Sequence, residues 1–120
     1  MSANPSPAPP SGPADAVWRA LADPSRRRML DELRRGPKTT GKLARSFDMT
    51  RFGFMKHLKV LEEAGLVVVE TRGRERWNHL NPLPIREIYR RWIRPFEEPL
   101  SDRLLRLKAL AEKEKTKNDE

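Results

Sequence analysis

Between Thr50 and Lys59 the chain carries Arg51, Phe52, Met55, Lys56 and Lys59 on the side of a helical repeat that its apolar stripe leaves free. That stripe is Phe54, Leu58 and Leu61, spaced i, i+4, i+7. Arg and Lys bond to phosphate oxygens or to guanine O6 and N7, and an apolar side chain can lie on a thymine methyl. A second basic cluster, Arg72, Arg74 and Arg76, surrounds Gly73. The chemistry open to these residues is recognition of a polyanion. Catalysis is not expected. The sequence has no Cys, no Gly-rich phosphate loop, no paired carboxylates in an apolar setting and no His beside a Ser nucleophile. No catalytic residue and no cofactor site is therefore assigned.

The elements that must position these residues follow from punctuation and periodicity. Met1 to Pro13 is Pro, Ser, Ala, Gly and Asn with little to bury, and is expected to be a disordered leader. Ala14 to Ala22 reads as a short helix, with Val17 and Leu21 one turn apart and Trp18 beside them. Asp23-Pro24 is an N-cap followed by a proline suited to the first helical position, so a second helix should run from Pro24 to about Arg35 and bury Met29, Leu30 and Leu33. Gly36-Pro37 ends it. Thr40 is expected to cap a short third helix carrying Leu43 and Ala44, and Phe47-Asp48-Met49 to form a turn. Thr50 caps a fourth helix to about Ala64, stopped by Gly65.

A β-branched strand, Leu66 to Thr71, a turn at Arg72-Gly73-Arg74-Glu75 and a return strand, Arg76 to Leu80, make a hairpin with a basic tip. From Ile85 the pattern is helical again, and Pro95 and Pro99 must kink or split it. Glu112 to Glu120 has no apolar pattern and is expected to fray. The organisation expected is a leader (1–13), a folded domain (14–111) and a charged tail (112–120). The fold class expected is mostly α with a small β-hairpin wing. A short helix joined by a tight turn to a longer capped one is a helix-turn-helix, which presents its second helix to the major groove. Gly53, a poor helix former, admits two readings: close backbone approach to DNA, or simple tolerance.

Composition narrows the partners. The 120 residues carry a net charge of +8, and from Pro24 to Leu80 there are 14 Lys or Arg against 7 Asp or Glu. The excess thus sits on the helix-turn-helix and hairpin, where a polyanionic partner would bind. Without Cys there are no disulfides and no thiolate metal sites. Only two His are present, too few N or S ligands for a transition-metal site, so no metal is expected. No run of about 20 apolar residues and no signal-peptide pattern occurs, which points to the cytoplasm and away from membranes.

The stretches LADPSRRRMLDEL (Leu21–Leu33), TRFGFMKHLKVLEEAGLVV (Thr50–Val68) and GRERWNHL (Gly73–Leu80) resemble the ArsR-type (arsenic-repressor-like) family of winged helix-turn-helix regulators. The resemblance spans roughly Val17 to Leu110. It implies a homodimeric, DNA-binding repressor. It places Thr40, Arg51, Phe52, Lys56 and Lys59 against DNA, with Arg72, Arg74 and Arg76 on the wing. Metal-sensing members carry a Cys-x-Cys on the third helix, where this chain has Lys42 to Phe47, and other members use His and carboxylate pairs on the last helix, where this chain has no His after His79. The chain resembles the metal-independent branch.

Val17, Trp18, Leu21, Trp92, Ile93, Phe96, Leu100, Leu104 and Leu107 offer more apolar surface than one small core needs. In the family the first and last helices pair across a two-fold axis, and an isologous dimer would absorb this surface. The plainer alternative is that they close the protomer core. The partners expected are double-stranded DNA, as a pseudo-palindromic operator, and a second copy of the chain. An effector, a small organic molecule or a partner protein, is left open. The competing function is a winged-helix protein-interaction module, which the basic fourth helix disfavours.

Overall fold

A computed structural model describes residues 12–97 and 99–118. Most of the expected leader lies outside the described residues. The chain divides after Ile85 into two compact units.

The first unit opens with α1 (Pro13–Leu21), which buries Val17 and Ala20. Asp23 then caps α2 (Pro24–Arg34): its Oδ1 accepts from the Ser25 and Arg26 amides at 2.8 and 3.1 Å. Those are two of the donors that a helix N-terminus leaves orphaned. The carbonyls at the end of α1 are satisfied from the same turn. Arg26 donates through Nε to Ala20 O (2.9 Å) and through Nη2 to Arg19 O (2.9 Å), and Arg27 donates to Leu21 O (2.7 Å). The Asp-Pro-Ser-Arg-Arg run is therefore a joint that closes one helix and opens the next.

A two-residue strand, β1 (Lys38–Thr39), precedes α3 (Thr40–Arg45). The cap of α3 is Thr39, not the expected Thr40. Thr39 has the extended backbone a cap requires, and its hydroxyl accepts from the Lys42 amide at 3.3 Å. Thr40 is instead held by Asn78, whose Nδ2 donates to Thr40 Oγ1 (3.0 Å) and to Lys38 O (3.2 Å).

α4 (Arg51–Glu63) begins at the Thr50 cap and ends as its sequence requires. Gly65 takes φ +77°, its amide donates to Glu62 O (2.9 Å), and the Leu66 amide reaches back to Leu61 O (3.0 Å). This paired 5→2 and 6→1 closure is the Schellman motif.

The strands β2 (Val67–Arg72) and β3 (Glu75–Leu80) pair antiparallel from Val67 opposite Leu80 to Arg72 opposite Glu75, around a turn whose Gly73 has φ +61°. β1 adds to the other edge of β3, Lys38 opposite Asn78, so the sheet order is β1-β3-β2. The expected hairpin is β2 and β3, and β1 extends it to a three-stranded sheet.

The core beneath these elements is Val17, Ala20, Met29, Leu30, Leu33, Leu43, Phe47, Phe54, Leu58, Leu61, Leu66 and Val67, all buried. Phe47, expected only in a turn, packs its ring 5.9 Å from that of Phe54, and Arg28 lies over its other side at 4.8 Å.

α5 (Leu83–Ile88) spans the division. Beyond it the second unit changes winding twice. Tyr89–Ile93 is a π-turn and Arg94–Phe96 a 3₁₀ turn. Pro95 lacks the amide that would bond to the carbonyl four residues back, which accounts for the break there. Glu97 is extended, and Pro99 restarts the chain as α6 (Pro99–Asn118). The expected frayed tail is helical as far as Asn118. Glu112 to Lys115 are strong helix formers, so an apolar stripe is not needed there. Among the described residues no helix is long and apolar enough to cross a membrane.

Candidate nucleic-acid interface

α3, the tight turn and α4 form the helix-turn-helix. α4 is anchored by Phe54, Leu58 and Leu61, each at most 2% exposed. At 100° per residue the direction opposite that stripe holds Phe52, Lys56 and Lys59, spaced i, i+4, i+7. All three are exposed, and Arg51 beside them is exposed too. Met55 is half-buried on the flank. The Thr50 hydroxyl accepts from the Gly53 amide at 3.0 Å and fixes the first turn. A Cβ at position 53 would lie 3.2 Å from that hydroxyl, so a larger residue would push on the cap itself.

The cations differ in how they are engaged. Arg51, Lys56 and Arg74 have no ion-pair partner among the described residues, and Arg74 sits in the hairpin turn. Lys59 lies 3.9 Å from Glu63 one turn on. Arg72 pairs with Glu70 at 2.8 Å and lies over the Trp77 ring at 5.0 Å. Arg76 reaches Glu62 at 3.4 Å, which ties the wing to the far end of α4. Exposed pairs such as these are weak in water, so a phosphate can replace the carboxylate. Hydrogen bonds from Arg72 and His79 hold the Glu70 carboxyl below the usual carboxylate range.

Both histidines are engaged by protein groups. His79 Nε2 lies 3.0 Å from Glu70 Oε1, and His57 Nδ1 lies 3.1 Å from Arg26 Nη1. A guanidinium only donates, so His57 Nδ1 is the acceptor of that contact. Among the described residues no group of three His, Cys, Asp or Glu is placed to hold a metal ion.

Of the residues expected at a dimer interface, Val17 is buried inside the first unit and is not available to a partner. It lies on the inward face of α1 with Ala20. Trp18 is exposed and Leu21 half-buried on the same helix. In the second unit Trp92, Ile93, Phe96, Leu100, Leu104 and Leu107 are all exposed.

Two positioning residues went unassigned in the sequence. Arg26 joins α1, α2 and His57 of α4. Asn78 is fully buried and staples β3 to the start of α3. Asparagine is disfavoured in strands, and its presence between Trp77 and His79 was the available signal.

Comparison with known proteins agrees with this architecture. Residues 21–70 match the family model described as a helix-turn-helix domain. A Bacillus subtilis protein, the uncharacterized HTH-type transcriptional regulator YuzN, is 39% identical over 90 residues, 69% of this chain and 98% of that one. The transcriptional repressor SdpR of Bacillus subtilis is 32% identical over 65 residues, 54% of this chain and 72% of that one. The crystal structure of an ArsR family transcriptional regulator superposes with a TM-score of 0.68 at 34% identity, covering 75% of this chain and 98% of that one. These are regulators and not enzymes. The chain belongs to the ArsR family of winged helix-turn-helix, DNA-binding transcriptional regulators.

Proposed function

We propose that the chain is a cytoplasmic, homodimeric repressor that holds a pseudo-palindromic operator in double-stranded DNA and works without a metal ion. The observation that carries this reading is the exposed stripe of α4. Phe52, Lys56 and Lys59 point away from a tightly buried counter-stripe, on a helix capped at both ends. In this reading Arg51, Met55 and the Gly53 backbone flank the stripe at the groove, and Arg72, Arg74 and Arg76 contact phosphates from the wing. Thr40, bonded to Asn78, contributes from the start of α3 through the hydroxyl's own proton.

The homodimer is supported by exposed apolar surface. Trp18 on α1, and Trp92, Ile93, Phe96, Leu100, Leu104 and Leu107 in the second unit, have the aromatic and aliphatic character of an interface core. Repression is supported by the name of the relative SdpR. The metal-free mode is supported by a sequence without Cys and by two histidines each bonded to a protein group.

The test is binding of the purified chain to its own promoter fragment against a shuffled duplex, at about 0.15 M salt, followed by footprinting. A two-fold symmetric footprint with half-sites about one or two helical turns apart is expected. Equal affinity for both duplexes would reduce the chain to a nonspecific binder, and no binding to either would overturn the reading.

A further inference from the structure

Phe52 is the most exposed large apolar side chain among the described residues, at 79%. It stands in the first turn of α4, the end of a recognition helix that meets base edges. Its neighbours on the outward stripe are Lys56 and Lys59, followed by Glu63, with no second apolar residue. A protein-docking surface has the opposite composition, an apolar centre depleted of charge.

A ring between cations does match the major groove. Phosphates line its walls, and the one apolar group on its floor is the C5-methyl of thymine. A phenyl ring has no donor or acceptor, so it cannot read guanine, adenine or cytosine through their hydrogen-bonding edges. The backbone holding the ring is fixed by the Thr50 cap, and the next residue, Gly53, adds no side chain between helix and DNA.

We propose that Phe52 is a specificity-determining residue that packs on the C5-methyl of one thymine in each half-site. The proposal rests on α4 being the recognition helix. Lysines at 56 and 59 supply affinity for the backbone, while Phe52 selects the base.

The experiment uses duplexes selected from a random pool by the full chain. Each thymine in the selected half-site is replaced singly by deoxyuridine, which removes only the methyl. Wild type, Phe52→Ala and Phe52→Leu are titrated against each duplex. The expected result is one thymine per half-site whose replacement weakens wild type about fourfold, the effect of taking one methyl out of an apolar contact. Phe52→Ala binds the thymine duplex more weakly and is indifferent to the replacement there. Phe52→Leu, still apolar, keeps part of the methyl dependence. Phe52 is exposed and outside the core, so the variants fold.

If no thymine shows the effect, or if Phe52→Ala responds as wild type does, the proposal is overturned while α4 remains the recognition helix. If wild type enriches no sequence at all, the recognition-helix reading falls and this one with it.

Discussion

Arg26, Arg27 and Arg28 sit in the first turn and a half of α2, and Arg51, Lys56 and Lys59 lie along α4, two sets of three cations in the same basic unit. The folded chain treats them differently. Arg26 and Arg27 spend their donors on the carbonyls of Arg19, Ala20 and Leu21 and on His57, and Arg28 covers the Phe47 ring. The α4 cations project outward, with a single long ion pair at Lys59. Net charge therefore overstates the surface available to DNA. An arginine beside a helix joint closes the backbone there, whereas a cation opposite a buried stripe stays free for a ligand.

The sharpest way to break this contrast is to remove charge from each helix and read both binding and stability. Replacing Lys56 and Lys59 together by Ala should weaken operator binding on the order of 100-fold, since each phosphate or base contact is worth about 1–3 kcal/mol. The slope of log K against log salt should become shallower by about 0.9 for each phosphate no longer neutralised. Thermal unfolding should stay where it is. A double variant that binds as wild type does would detach function from α4.

Arg26→Ala should do the reverse. It strips the end of α1 of two charge-assisted hydrogen bonds and His57 of its donor, at a cost of about 2 kcal/mol in stability. In a domain of this size that lowers Tm by roughly 10 °C. Operator affinity per folded molecule, titrated well below the transition, should be unchanged. Arg26→Lys should not rescue, because an ammonium lacks the fork that reaches two carbonyls at once. A loss of DNA affinity without a loss of stability would move Arg26 from the joint to the interface.

What the sequence made legible follows the same division. The limits of α2 and α4 are set by Asp23, Thr50 and Gly65, whose chemistry is local, and their buried faces are set by periodicity within one helix. The outward stripe of α4 was legible for that reason. Features decided by partners distant in the chain were not. Thr39 and Thr40 are equivalent as caps until Asn78, on β3, takes the Thr40 hydroxyl. β1 is two residues long and exists by pairing with β3. Phe47 enters the core because the Phe54 ring and the Arg28 guanidinium meet it there. Val17 looks like surplus apolar surface until α1 packs against α2 and α4. The pairing of Arg76 with Glu62 likewise depends on how the wing docks on α4.

The smallest effect tests the joint from its acidic side. Burial raises the Asp23 carboxyl, but the Arg26 amide, the His57 and Arg26 charges and the Ser25 amide together outweigh it, so the group ionises below its ordinary value of 3.8. A carboxylate favoured in the folded state contributes stability that is fully present above 3.8 and is lost as pH falls through the lower, folded value. Asp23→Ala should therefore cost about 1 kcal/mol near neutral pH, the usual worth of an N-cap. The gap between wild type and variant should hold down to about pH 5, then narrow as the carboxyl protonates. Denaturant unfolding of both proteins at successive pH values reads this directly. A gap that stays constant into acid would mean that Asp23 caps α2 through a neutral hydrogen bond. The hold of its charge on the joint between α1, α2 and α4 would then be nil.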